Sequence, residues 1–355
     1  MIKILHSADW HLDSPLNFRD EAQARFLRET LAKVPGKLVA LCKEQGCDLV
    51  LLSGDLLDGA YTAHTVENLK QAFADMAVPV FITPGNHDFL SAESPWQKEI
   101  WPENVHIFTK PAMESVAIPE LDCRIYGAGF ISMDCDPLLE NFTAEQTERY
   151  AIGILHGDPT QTTSPYCPIT TAQVQNSNLD YLALGHIHKG GSFRAGKTLC
   201  AWPGCPMGRG YDEEGEKGAL IVTLDDTVST RFIPLDTPCF YDLYVDAGEN
   251  AASAIASALP PVGNGNFYRI TLTGNSEALD LDALQVADFP NLLLRDRTTM
   301  PVDIWSSADT DSFEGLYFNR LKEAMDGADE ETQRRIRLAA QISRKLLDGQ
   351  EVVLP

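Results

Sequence analysis

The sequence predicts an α/β fold: a layered sandwich over residues 1–238, then a smaller α+β domain over 239–355. Three observations carry the prediction. Apolar runs of strand length alternate with stretches of helical spacing through the first third of the chain. Short clusters of Asp, Asn and His follow several of those runs at once. Past about position 235 the pattern changes to two strand-like segments and two terminal helical ones. At 355 residues there is room for one large domain and a smaller one, and the 44% apolar content is that of a globular protein.

Ile2–His6 is a short apolar run that ends in polar residues and reads as a first strand. It turns polar too early for a signal peptide. Glu21–Cys42 has helical spacing, and Pro35-Gly36 is expected to break it. Asp48–Ser53 is apolar on both faces, as in a strand buried between layers. Thr65–Met76 places Val66, Leu69, Ala72, Phe73 and Met76 on one helical face. Val78–Thr83 is the next strand. Strand, helix, strand in this order predicts right-handed crossovers and a parallel sheet.

Shorter strands follow at Val105–Phe108, Arg124–Tyr126, Ala151–Leu155 and Tyr181–Leu184. From Ser192 the chain reads as strands and turns: Phe193–Ala195, Thr198–Ala201, Ala219–Leu224 and Thr230–Ile233. Pro234, Asp236, Thr237 and Pro238 mark a boundary near Leu235–Phe240. Tyr241–Val245 and Phe267–Leu272 are strand-like and flank the Ala-rich stretch Asn250–Leu259. Ser312–Met325 and Asp329–Leu347 read as two helices joined at Gly327. Asp329, Glu330 and Glu331 suit the start of the last helix, and Arg344 and Lys345 suit its end.

The net charge is −23, and neither part is basic: 18 basic and 32 acidic residues precede Tyr241. A protein that grips a long DNA tract by itself shows a basic face. If DNA is the substrate, a partner must supply much of the grip. The eight cysteines are scattered, without a Cys-x-x-Cys pair, which predicts reduced thiols in a cytoplasmic protein and no cysteine zinc site. No stretch resembles a membrane span.

The chemistry lies in five clusters: Asp9-Trp10-His11, Gly54-Asp55-Leu56-Leu57-Asp58, Gly85-Asn86-His87-Asp88, His156-Gly157 and Gly185-His186-Ile187-His188. Each follows a predicted strand, where open α/β sheets bind ligands. Asp9 and His11, two apart in an extended segment, are expected to point the same way. Asp55, just after an apolar strand, needs either a cation or a role as a helix cap. Asn86 offers a neutral oxygen to a metal, though Asn after Pro84 also suits a turn. His87 beside it is placed to act as a general acid or as a donor to developing phosphate charge. A lone His such as His156 has many ordinary uses, but His186-x-His188 after a strand and a glycine points to metal. Asp158 and Lys189, next to these histidines, read as supporting or solvated groups. Together the clusters can hold two divalent cations, an arrangement that clamps a phosphate ester. Carboxylate, amide and imidazole donors without thiolates suit manganese, iron or zinc, with manganese favoured.

In these motifs the chain resembles the calcineurin-like metallophosphoesterases, and within them the SbcD-type double-strand-break repair nucleases. The opening His6–Leu16 is especially similar to a bacterial subgroup of SbcD-like DNA repair exonucleases. Trp202-Pro203-Gly204-Cys205-Pro206 and Gly215-Glu216-Lys217-Gly218 resemble the same branch, and the likeness covers roughly residues 1–240. It implies a four-layer α/β/β/α metallophosphoesterase sandwich with a C-terminal capping and partner-docking domain. It implies one metal on Asp9, His11, Asp55 and His188, and a second on Asp55, Asn86, His156 and His186, with Asp55 bridging and a bridging hydroxide as nucleophile. His87 takes the catalytic position. Asp58 stands where some relatives carry a second histidine and is counted with it. The implied activity is metal-dependent DNA exonuclease, and also endonuclease, acting on linear ends with a coiled-coil ABC-type ATPase of the SbcC class. Relatives form homodimers through helices near the second and third clusters, which here are Glu21–Leu31 and Val66–Phe73. Arg334, Arg337, Arg344 and Lys345 on the last helix are candidates to dock an acidic partner or touch phosphate. A phosphodiesterase or phosphatase for nucleotides or other small esters is the rival reading, since the metal nest is shared across the superfamily. A metal-free scaffold is the third.

Overall fold

A computed structural model describes residues 1–16, 20–299 and 304–349. The chain opens with β1 (Ile2–Ser7), α1 (Glu21–Leu31), α2 (Val34–Gln45), β2 (Leu49–Leu52), α3 (Ala63–Met76), β3 (Val80–Ile82), α4 (Pro95–Lys98) and β4 (Val105–Ile107). It continues through β5 (Glu114–Ile118), β6 (Cys123–Gly127), β7 (Tyr150–His156), α5 (Thr171–Asn176), β8 (Tyr181–Gly185), β9 (Lys189–Ala195) and β10 (Thr198–Gly204). After these come β11 (Gly218–Leu224), β12 (Val228–Pro234), β13 (Phe240–Asp246), α6 (Ala251–Ala258), β14 (Phe267–Thr273), β15 (Leu292–Asp296), α7 (Phe313–Met325) and α8 (Glu330–Leu347).

Two six-stranded sheets form the heart of the chain, ordered β12-β11-β1-β2-β3-β4 and β5-β6-β7-β8-β10-β9. In the first, β1 to β4 run parallel; in the second, β6, β7, β8 and β10 do. The apolar runs explain the layering. In β2, Leu49 and Leu51 face the other sheet, while Val50 and Leu52 face the helices. In β8, Tyr181 and Ala183 turn inward, while Leu182 and Leu184 turn to the opposite outer layer. A parallel strand covered on both faces must be apolar at every position, which is why these runs lack alternation. α1, α2 and α3 cover the first sheet, and α5 covers the second. The result is a four-layer α/β/β/α sandwich. The five apolar residues expected on α3 are its buried ones, each contributing about 1.5–3 kcal/mol of burial for the larger side chains.

The helix break differs from the sequence reading, and β9 and β12 start earlier than the expected Phe193 and Thr230. The break falls at Ala32 and Lys33, and Pro35 sits in the first turn of α2. The first turn of a helix has amide groups without intrahelical partners, so a proline there loses nothing. α1 and α3, the candidate dimer helices, each bury one face in the sheet-covering core.

The chain divides into two compact units. One comprises Met1–Asp242, Val262–Arg269 and Ala287–Leu293; the other comprises Leu243–Pro261, Ile270–Val286 and the chain from Leu294. β13, β14 and β15 form a three-stranded sheet in that order. In the second unit α7 and α8 pack through Phe318 and Ala340. Arg344 is only 7% exposed, lies over the Phe318 ring at 4.3 Å, and pairs with Glu314 and Ser307. It therefore braces the helix pair and is not available to a partner, while Arg334, Arg337 and Lys345 are exposed. No helix among the described residues is long and apolar enough to cross a membrane.

Candidate metal centre

All five polar clusters meet at the carboxyl ends of the parallel strands. β1, β2 and β3 deliver Asp9 and His11, Asp55 and Asp58, and Asn86 and His87. β7 ends on His156, and the loop after β8 carries His186 and His188. The loops are sewn together by backbone bonds. Asp9 N donates to Gly54 O at 3.0 Å, His11 N to Asp55 O at 2.9 Å, and Leu12 N to Leu56 O at 2.9 Å. Asp88 ties the second loop to the third, accepting from Gly85 N at 2.7 Å and Leu56 N at 2.8 Å.

The local geometry of Asp9 and His11 is not the extended one expected. Both have positive φ, 56° and 48°, as do Asp55 at 53° and His186 at 96°. Non-glycine residues in this region are strained and concentrate where a site fixes them. Their side chains converge because the loop turns, not because strand residues alternate.

Three acceptors outside the nest set the histidine tautomers. His156 Nδ1 donates to Ser53 O at 2.9 Å, His11 Nδ1 to Asp58 Oδ1 at 3.2 Å, and His188 Nδ1 to Glu213 Oε1 at 2.6 Å. Each ring thus turns Nε2 inward, the arrangement that second partners impose on metal-binding histidines. His156 Nε2 then faces Asn86 Oδ1 at 2.9 Å and Asp55 Oδ2 at 3.4 Å. Burial pushes the His156 ring down to about 3, so that nitrogen carries no proton to share. His11 Nε2 faces His188 Nε2 at 3.1 Å and Asp55 Oδ2 at 3.7 Å. His186 Nδ1 lies 3.2 Å from Asn86 Oδ1, and its backbone N–H donates to Asp9 Oδ1 at 2.9 Å. Acceptors converging in a buried space call for cations.

The carboxylates make the same demand. Burial, with the neighbouring Asp55 charge and against the pull of His188, pushes Asp9 up to about 7. Burial and Asp55 likewise push Asp88 up to about 7. Asp9, His11 and His188 present ligand atoms within 4.8 Å of one another, and so do Asp9, Asp55 and His156. The two groups share Asp9 and suit divalent cations, and Asp55 Oδ2 of the second group also faces His11 Nε2 of the first at 3.7 Å. The two glycines leave no room for a side chain. A Cβ on Gly85 would stand 2.3 Å from Asp55 Oδ1, and one on Gly54 would stand 2.5 Å from His156 Nδ1.

His87 is the exposed member of the set, with 44% of its side chain accessible. Its Nδ1 lies 2.8 Å from Asp58 Oδ1, and this hydrogen bond raises its pKa above the ordinary histidine value. Hydrogen bonds from His11 and His87 hold Asp58 well below the usual carboxylate range. Asp158 accepts from Thr160 and Gln161 and shapes its own turn, and Lys189 is exposed.

Two residues escaped the sequence reading. Glu213 is 6% exposed and accepts from His188, and Arg209 accompanies it, with Nη2 at 2.9 Å from the same carboxylate oxygen. Burial alone would raise Glu213, but His188 and Arg209 outweigh it and hold its carboxyl well below the usual range. Their signal lay between the two segments, Trp202–Pro206 and Gly215–Gly218, that resemble the nuclease branch.

The family profile described as calcineurin-like phosphoesterase matches residues 2–190. The chain is 34% identical over 235 residues to the uncharacterized metallophosphoesterase YhaO of Bacillus subtilis, covering 62% of this chain and 57% of that protein. The match thus spans little more than half the length of that relative. It is 22% identical over 331 residues to the D component of the nuclease SbcCD of Staphylococcus epidermidis, covering 82% and 84% of the two chains. Among solved structures, a dimetal phosphatase from Danio rerio is similar at 12% identity and a TM-score of 0.44, covering 65% of this chain and 98% of that one.

Proposed function

This chain belongs to the calcineurin-like phosphoesterase family, and we propose that it is a metal-dependent DNA exonuclease of DNA repair, acting on linear ends. The observation that carries the reading is Asp55, whose Oδ2 faces His11 Nε2 at 3.7 Å and His156 Nε2 at 3.4 Å. One cation would be held by Asp9, His11, Asp55 and His188, and the other by Asp55, Asn86, His156 and His186. Manganese is the metal we favour, with iron and zinc behind it. When bound, such a pair supplies Lewis-acid neutralisation of the phosphoryl oxygens.

The chain's own residues do the rest. Asp58 holds the Nδ1 proton of His87, which leaves the protonated ring to present Nε2–H to the departing oxygen. Ser53 O, Asp58 and Glu213 keep the ligand rings in one tautomer. Likeness to the D component of SbcCD supports a nuclease and an ATPase partner of the SbcC class. The net charge of −23 supports such a partner too, since DNA must be gripped elsewhere. Residues 239–355 would serve as the capping and partner-docking domain. Eight unpaired thiols support a reducing, cytoplasmic setting.

The test is manganese-dependent digestion of end-labelled linear duplex beside a covalently closed circle, with the His87→Ala protein as control. Loss of the linear substrate alone, abolished by the substitution, is expected. If a small phosphodiester is cleaved while DNA survives even with the ATPase added, the nuclease reading gives way to a small-ester phosphodiesterase.

A further inference from the structure

We propose that Arg209 is a phosphate-binding residue of this site, gripping a phosphoryl oxygen of the substrate while Glu213 holds both its guanidinium and His188. The inference rests on the phosphodiester-hydrolase reading above and adds a residue to it.

Arg209 lies in the loop after β10. Its backbone N donates to Glu213 Oε2 at 2.8 Å, and Nε and Nη2 donate to Oε1 at 3.3 and 2.9 Å. That side-on grip uses one edge of the guanidinium. Nη1 has no hydrogen-bond partner among the described residues, and 19% of the side chain remains accessible. Nη2 lies 3.2 Å from His188 Nδ1, so the group borders the nest. Its positive charge is felt at Asp9, His11 and His87.

A bare cation site is the competing use of the same space. His188, Cys205 and Glu213 also present ligand atoms within 4.8 Å of one another. The guanidinium already fills that position, bonded to Glu213 and against His188 Nδ1. What it leaves free is a donor edge, and a planar donor edge matches the oxygens of a phosphate. Glu213 Oε1 is shared between the His188 ring and the guanidinium, so Arg209 is fixed before substrate arrives and needs no reorganisation. In a chain of charge −23, a fixed cation beside the nest is also what draws an anion in.

The experiment compares wild type, Arg209→Ala, Arg209→Lys and Glu213→Gln, each loaded with manganese. Metal content is measured directly, inorganic phosphate is titrated calorimetrically, and hydrolysis of a chromogenic phosphodiester is followed. In Arg209→Ala we expect wild-type manganese content, phosphate affinity reduced about tenfold or more, and kcat/KM lower by about 10²-fold. Arg209→Lys should fall between, since it keeps the charge and loses the fork. Glu213→Gln should instead weaken manganese binding by about 10–100-fold. Unchanged phosphate affinity in Arg209→Ala overturns the proposal. So does loss of manganese in that variant matching Glu213→Gln, which would make Arg209 a brace for the ligands. If Arg209→Ala does not fold, Arg209→Lys decides: weaker phosphate binding supports the clamp and unchanged binding overturns it. The two readings fail separately. A wild-type protein that binds manganese and phosphate but cleaves no phosphodiester refutes the hydrolase, while the phosphate affinities still judge Arg209.

Discussion

His87 Nδ1 lies 2.8 Å from Asp58 Oδ1, and the same oxygen lies 3.2 Å from His11 Nδ1. One carboxylate therefore orients both a proposed metal ligand and the proposed acid. The consequences of removing either partner differ. His87→Ala should keep both metals and lose hydrolysis by about 10²–10⁴-fold, the usual range for a general acid. Wild-type turnover at full metal content would end that assignment.

Asp58→Asn should act through pH. The carboxylate is the largest cause of the raised His87 pKa. Without it the ring loses its proton at lower pH. If protonated His87 is the active form, the alkaline limb of kcat against pH moves to lower pH in Asp58→Asn. A limb at the wild-type position would show that Asp58 does not set the protonation of His87.

Asp55→Asn tests the bridge. Asp55 Oδ2 faces ligand atoms of both proposed groups, so neutralising it should lower occupancy at both metal positions. Metal titration followed by calorimetry should find both affinities weakened. Full retention of one ion with loss of the other would contradict a shared carboxylate.

Much of this site was legible because each proposed ligand follows a strand that announces itself. Leu49–Leu52 and Tyr181–Gly185 are apolar on both faces, so Asp55 and His186 could be placed at strand ends from the sequence. The folded angles of Asp9 and His11 were not legible, because a left-handed loop is imposed by the Gly54–Leu56 segment beside it and leaves no local signature. Glu213 and Arg209 were missed for a related reason. Their meaning depends on His188, 25 residues from Glu213, and no periodicity marks a hydrogen bond across that separation. Strands β5 and β15 are short and partly exposed, so their apolar signal is weak. Arg344 reads as a surface charge at a helix end until α7 packs over it.

Gly85 carries a steric prediction. Its added Cβ would stand 2.3 Å from Asp55 Oδ1 and 2.8 Å from the His156 ring. Neither neighbour can give way, since Asp55 accepts from His87 N at 2.8 Å and His156 is anchored on Ser53. Gly85→Ala should cost about 1–3 kcal/mol of stability, as overpacking does, and should also lower manganese affinity. A folded variant with wild-type metal binding, measured by calorimetry, would show that the nest is more pliable than its contacts suggest.

His6 gives a pH dependence that does not involve the ligands. Its Nε2 donates to Leu184 O at 3.1 Å, and its Nδ1 accepts from the Tyr181 hydroxyl at 2.7 Å, so the ring is held neutral. Burial pushes it down to about 3. Above about pH 6.5 neither the folded nor the unfolded ring is charged, and its contribution is intact. As pH falls below 6.5 the unfolded ring takes a proton that the folded ring refuses until about pH 3. The folded state then loses about 1.4 kcal/mol per pH unit from this group. His6→Gln removes that loss together with hydrogen bonds worth about 1–3 kcal/mol. The variant should therefore be less stable than wild type at pH 7, and the gap should shrink toward pH 5. Denaturant unfolding in a metal chelator at both pH values measures it. A gap of equal size at pH 7 and pH 5 would mean that His6 titrates alike in the folded and unfolded chain.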